Sequence, residues 1–214
     1  MVAPALANDP ADSWLVYAIA AGGGSQVLSV NATWAVPAFP TTRGGGNAPG
    51  WWFGVEPAQP NADVLIQPIL AYGDGTPDYT IFTGLYDWHG GEWIQSPVAP
   101  VKPGDIVTGS IWWDAAKKTY MQSIARKGNK AITTTVAIKN LHGETFTDVY
   151  FVVEHQPNSC SEYPANGGVV FHDIAIAWAD GHSPDWAVHQ FKPACNSQGK
   201  VVNATAVSFS WDTK

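Results

Sequence analysis

Apolar residues in this chain come in short runs that alternate with polar ones, and Gly, Pro, Asn and Asp stand between the runs. A period of two marks a strand with unlike faces, whereas a helix repeats its apolar positions every three or four residues. Segments 14–20, 27–36, 51–56, 63–67, 79–88, 106–114, 120–126, 130–140, 148–156, 168–178 and 204–211 read as strands. No amphipathic helical run longer than a turn or two lies between them. Strands without helices must cover their apolar faces with one another. The pattern therefore predicts an all-β fold, a two-sheet antiparallel β-sandwich. Residues 1–12, with Pro and small side chains and no period, are predicted to be irregular.

Within the runs, polar residues fall on selected faces. In 148–156, DVYFVVEHQ, Val149, Phe151 and Val153 share one face and Tyr150, Val152 and Glu154 the other. The first belongs in a core. The second suits a cleft wall, where a partly desolvated glutamate is expected to have a raised pKa and to exchange a proton. In 51–56, WWFGVE, Trp51, Phe53 and Val55 oppose Trp52, Gly54 and Glu56. In 63–67, Val64 and Ile66 oppose Asp63, Leu65 and Gln67, and the strand is predicted to end at that glutamine. In 79–88, Leu85, Asp87 and His89 have one parity and Tyr86 and Trp88 the other; Asp87 is read as lying off the core.

Composition narrows the function classes. Charged residues are only 14% of the chain, and 21 Gly, 16 Pro and 11 Trp fit short strands joined by turns. At 214 residues a sizeable core can form, and 1–214 is expected to be one domain and a monomer. A formal charge of −7 argues against a phosphate-binding surface, so no nucleic acid partner is expected. No stretch is long enough to span a bilayer, so neither is a membrane. Lys117, Lys118, Arg126, Lys127 and Lys130 cluster at hairpin tips, where charge blunts edge pairing. Cys160 and Cys195 suffice for one disulfide, and Asn31-Ala-Thr33 and Asn203-Ala-Thr205 are glycan acceptor sequences in a eukaryotic secretory route. Together these lead to the expectation of a secreted protein.

Several chemistries lack their residues. The histidines, at 89, 142, 155, 172, 182 and 189, form neither a helical i, i+4 pair nor a Cys/His cluster. Asp74 and Asp78 lack the further oxygen ligands of a calcium loop, and the glycines at 44–46 lack the Lys-Ser/Thr ending of a phosphate loop. No metal and no cofactor is expected. There is no G-x-S-x-G elbow, and neither cysteine sits in a pattern that lowers its pKa. Carboxylates and an amide remain: Glu56, Gln67, Asp87 and Glu154.

In order along the chain, these residues lie in segments that resemble the glutamic peptidases called eqolisins. ATWAVP at 32–37 resembles that family's ATANVP, WFGVE at 52–56 its W-V-G-I-D, and VLIQ at 64–67 its I-L-Q. YGDGT at 72–76 recurs nearly unchanged, LYDW at 85–88 resembles W-Y-E-W, PGD at 103–105 resembles E-G-D, and YFVVE at 150–154 resembles E-F-I-I-E. The likeness runs from about Trp14 to Ile176. It implies a sandwich of two antiparallel sheets of the concanavalin-like jelly-roll kind, a polypeptide substrate, Gln67 and Glu154 as the catalytic pair, and Trp52, Glu56 and Asp87 as cleft residues that orient substrate and water. The chain departs from the family in having Glu56 for its Asp, Asp87 for its Glu, and Pro68-Ile69 after the glutamine in place of Thr-Gly. One extra residue also separates Glu56 from Gln67.

The chemistry implied is that of an acid-acting endopeptidase. Ionised Glu154 takes a proton from the attacking water, the Gln67 amide donates to the developing oxyanion, and both converge on that water. Two other readings stay open. A lectin-like sandwich would stack sugars on exposed Trp52, Trp88, Trp93 and Trp112, and a repurposed family member would use Glu154 on a small molecule.

Overall fold

The alternation builds two sheets. The structure, a computed structural model, describes residues 13–42, 49–58, 63–73, 78–88, 91–137, 144–155 and 157–214. Residues 1–12, the glycines at 44–46, Asp74, His89 and His142 lie outside the described residues. The first sheet, eight-stranded, runs in the order β13 (Trp186–Gln190), β1 (Trp14–Ala20), β11 (Phe146–Glu154), β3 (Gly50–Pro57), β4 (Val64–Tyr72), β5 (Tyr79–Asp87), β6 (Glu92–Gln95), and β7 (Ala99–Val101) also pairs with β5. The second, seven-stranded, runs β10 (Ile132–Ala137), β9 (Thr119–Arg126), β8 (Ile106–Asp114), β2 (Val27–Ala35), β12 (Gly168–Trp178), β15 (Ala206–Ser210), β14 (Gln198–Asn203). All recorded pairings are antiparallel, as the predicted sandwich requires.

The core lies between the sheets and takes the predicted faces. Trp51, Phe53 and Val55 of β3 and Val149, Phe151 and Val153 of β11 point into it, with Val64 and Ile66 of β4. Aromatic rings close the gap between sheets: Phe151 meets Phe171 at 5.2 Å between centroids, and Trp34 meets Phe53 at 6.1 Å. Each ring buried this way stabilises the fold by about 1.5–3 kcal/mol relative to exposure. Gly109 permits the close approach, since a Cβ there would stand 2.7 Å from the Phe53 ring.

Two strand expectations are corrected. Segment 63–67 does not end at Gln67 but continues through Pro68 to Tyr72 as β4, in the interior of the sheet. Proline brings no N–H to a ladder. The β3–β4 ladder accordingly pairs Trp52 with Ile69 and Val55 with Ile66 but is not recorded where Phe53 and Gly54 run beside Gln67 and Pro68. Four strands were also unpredicted: β6, β7, β13 and β14. They are short and sit at or beside sheet edges, where burial imposes little alternation; all four residues of β6 are exposed.

Cys160 and Cys195 form a disulfide with 5.5 Å between their Cα atoms. It ties the 3-10 turn Cys160–Glu162, after β11, to the segment between β13 and β14. Among the described residues no helix is long and apolar enough to cross a membrane.

Candidate active site

The outer face of the first sheet, opposite the core, carries the candidate residues. Trp14 and Tyr17 of β1, Tyr150 and Val152 of β11, Trp52 of β3, Leu65 and Ile69 of β4 and Phe82 of β5 form a second apolar cluster there, none more than 7% exposed. Trp14 sits at its centre, edge-on to Trp52 at 5.1 Å, Tyr150 at 5.3 Å and Tyr17 at 5.4 Å.

Glu154, the last residue of β11, emerges beside this cluster with its side chain 19% exposed. Both carboxylate oxygens accept hydrogen bonds. The Ser13 hydroxyl donates to Oε1 at 2.7 Å, and the Trp52 indole N–H donates to Oε2 at 2.7 Å. His155 Nε2 lies 3.6 Å from Oε1. Burial alone would raise the pKa of Glu154. The neighbouring His155, the Ser13 hydroxyl and the Trp52 N–H outweigh burial and hold the carboxyl below its ordinary value. The expected raised pKa is thus corrected: donors to the charged form win over desolvation.

Local backbone geometry explains how Ser13 reaches an acid far along the chain. The β1–β11 register shifts between Trp14 and Val16, and the Leu15 carbonyl accepts from the Phe191 and Lys192 amides at 2.9 and 3.0 Å. Such an irregularity re-aims the strand end. The Ser13 carbonyl in turn accepts the His155 amide at 2.8 Å. His155 has a left-handed backbone, φ 72°, uncommon for a residue with a side chain, and it ends β11.

Gln67 is on the same face as Glu154, between Leu65 and Ile69 in β4. Glu154 pairs with Gly50 and Gly50 with Ala71, which places Gln67 two strands away and four residues down β4. At about 3.3 Å per residue and about 4.8 Å per strand, their Cα atoms are roughly 16 Å apart.

The space between them is aromatic. Trp52 gives its N–H to Glu154, and at its far edge Cζ3 comes within 3.2 Å of where a Cβ on Gly54 would stand. Gly54 lies level with Gln67 on β3, so the indole spans from the acid toward the amide. On the other side Gln67 pairs with Gly84, and a Cβ on Gly84 would stand 2.3 Å from the Trp93 ring. Gln67 is 5% exposed, and its buried Oε1 has no hydrogen-bond partner among the described residues.

The other candidate acids separate. Glu56 is fully buried and sits on the outer face, directly opposite Asp148, a pairing of two acids that the sequence reading did not single out. Asp148 Oδ1 accepts from the Gly22 amide and the Thr147 hydroxyl, each at 3.1 Å. Asp87 pairs with Val64 and shares the parity of Leu85, so the register turns it to the core side of β5; Tyr86 and Trp88 take the outer side. Its off-core assignment is corrected. Trp52 is fully buried and offers no exposed ring to a sugar, whereas Trp93 is 42% exposed. Ser13, His155 and Asp148 are the residues that sequence reasoning missed. Only His155, next to Glu154, carried a local signal. Among the described residues no group of three or more His, Cys, Asp or Glu gathers as metal ligands would.

A carboxylate held ionised beside an aromatic sheet face can accept a proton from water and return it. The sandwich that presents it has the fold of the eqolisin glutamic peptidases. Scytalido-glutamic peptidase, in its complex with a transition state analog inhibitor, is similar over 94% of this chain and 98% of that one, with a TM-score of 0.66 and 18% identity. A second eqolisin, the peptidase SCP-B in complex with the tripeptide Ala-Ile-His, is similar over the same shares with a TM-score of 0.62 and 19% identity. No protein-family model and no curated protein sequence matches the chain.

Proposed function

We propose that this chain is a secreted, acid-acting endopeptidase in which Glu154 is the general base and then the general acid. The observation that carries the reading is the Glu154 carboxylate at the edge of the aromatic outer face, with Ser13 and Trp52 donating to its two oxygens at 2.7 Å each and His155 3.6 Å away; together these hold it below its ordinary pKa against the opposing effect of burial. A base with a depressed pKa stays ionised in acid, where an ordinary glutamate would be protonated. It takes a proton from the attacking water and delivers it to the leaving amine.

Gln67 serves as oxyanion donor in this reading, on the far side of the scissile carbonyl from the acid and its water. Acid, water, scissile carbonyl and amide in a row span about 8–9 Å, from hydrogen bonds of about 2.8 Å and an attack distance of about 3 Å. That length matches the gap left when both side chains lean inward from backbones roughly 16 Å apart. Trp52, buried beneath the surface of that path, forms its floor and holds the acid at one end. Trp52 and Glu56 are then the substrate-orienting residues of the face. The test is cleavage of a peptide library in acidic buffer by the wild type, Glu154→Gln and Gln67→Ala. Loss of turnover in both variants supports the roles; full turnover in either removes that residue from the mechanism.

Secretion through a eukaryotic route is expected to place a glycan on Asn203 rather than on Asn31. Asn203 is exposed at the β14–β15 turn, and its Oδ1 accepts from the Thr205 amide and hydroxyl at 2.8 and 3.0 Å. Asn31 lies inside β2, paired with Ser110 on one side and Ala175 on the other. Glycosidase treatment of protein secreted from yeast, compared with Asn203→Gln, reads the difference as a mass shift.

A further inference from the structure

Glu154 is gripped by a closed set of contacts that links the start of β1 to the end of the neighbouring β11. The Ser13 hydroxyl binds Oε1 at 2.7 Å while the Ser13 carbonyl takes the His155 amide at 2.8 Å. The residue before β1 and the residue after β11 therefore hold each other as well as the acid between them. His155 returns its ring to within 3.6 Å of the same Oε1 through a left-handed backbone, φ 72°. A non-glycine residue in that conformation is uncommon, and its position at the end of the catalytic strand is what brings the ring back to the acid.

We propose that Ser13 and His155 are positioning residues for Glu154: the Ser13 hydroxyl fixes the direction of the carboxylate through Oε1, and the His155 ring, folded back to within 3.6 Å of the same oxygen, holds it there. The inference rests on the proposed role of Glu154 and deepens it. The two residues divide the work. Ser13 acts through a neutral hydroxyl hydrogen bond, whereas His155 acts through a ring nitrogen that can carry charge. The groups facing Glu154 from the packed elements are consistent with that division. From β3 come Trp52 and Gly50, without charge, and from β1 come Trp14 and Tyr17. Beyond Tyr17, β13 contributes His189, stacked on the tyrosine ring at 4.9 Å. His155 is the charged group that acts directly on the acid.

The third donor, Trp52, grips Oε2, so the three contacts lie on both oxygens and leave the remaining lone pairs for water. The carboxylate cannot rotate without breaking one of them. Orientation of this kind affects turnover more than substrate affinity, because it places the base for proton transfer and does not itself bind the peptide.

The test uses the whole chain and two readouts: the carbon-13 NMR titration of the Glu154 carboxyl, which needs no activity, and the pH profile of peptide cleavage. Ser13→Ala is expected to raise the Glu154 titration midpoint and to lower kcat about tenfold to a hundredfold with KM little changed, while Ser13→Thr restores most of it. His155→Asn, chosen because asparagine tolerates a left-handed backbone, is expected to move the acid limb of the profile to higher pH and to lower turnover on that limb about twofold to fivefold. If neither variant moves the carboxyl titration, the proposal is overturned. Covalent capture of Ser13 by a fluorophosphonate also overturns it, since Ser13 would then be a nucleophile. If the titration moves as expected but the wild type cleaves no peptide, the clamp stands and the peptidase reading falls.

Discussion

The two faces of the first sheet are built by the same strands from the same alternation, yet they differ in what interrupts them. The inner face is apolar without a break over Trp51, Phe53, Val55, Val149, Phe151 and Val153. The outer face is as aromatic, with Trp14, Trp52, Tyr17 and Tyr150, but Glu154, Gln67, Glu56 and Asp148 stand among or beside the rings. A face that only had to be covered would omit these groups, because each brings a desolvation penalty that packing does not repay. In the proposed reading the inner side of a strand carries stability alone, while the outer side adds the candidate chemistry to its own buried rings.

Substitutions on alternate residues of β11 break or sharpen that division. The largest effect is expected from Glu154→Gln, which removes the proposed proton carrier: turnover falls on the order of a hundredfold to ten-thousandfold while the fold is retained. Three residues back, Phe151→Ala should act oppositely. It empties a ring that meets Phe53, Phe171 and Trp186, and denaturant melts should show a loss of about 3–5 kcal/mol while activity per folded molecule survives. If Phe151→Ala abolished activity in fully folded protein, the division of faces would be wrong.

A smaller effect follows from the acid's environment. Glu154 has a folded pKa below its unfolded one, so its contribution to stability is complete above the ordinary glutamate range and is lost as pH falls through it toward the folded value. Denaturant melts across acid pH should therefore show the wild type losing its advantage over Glu154→Gln as pH drops. An advantage that grew with acidity would mean the pKa is raised instead.

Much of this was legible in the chain. Both faces of β3 and β11 follow from WWFGVE and DVYFVVE, because a strand buried on one side and lined by rings on the other writes both in period two. The end of β4 was not, because Pro68 reads as a strand breaker and is tolerated only where its missing N–H meets an interrupted ladder. Asp87 was misread for a related reason: parity has to be anchored to a buried neighbour, and Leu85 beside it is core. Ser13 was out of reach, since its contact with Glu154 spans 141 residues and depends on an irregularity in the β1 register. The Gln67 to Glu154 separation depends likewise on the registers of two ladders, and no single-strand pattern contains it.

The most direct test of the outer face as the working face is the Trp52 indole N–H, which joins the acid to the path toward the amide. Its nitrogen–proton NMR signal can be followed while inactive Glu154→Gln protein is titrated with a peptide substrate at acid pH. The account predicts a saturable shift of the Trp52 signal, accompanied by Trp14 and Trp93 and not by the core indoles Trp34 and Trp178. Saturable peptide binding that leaves Trp52 unmoved and shifts residues of the second sheet would contradict it.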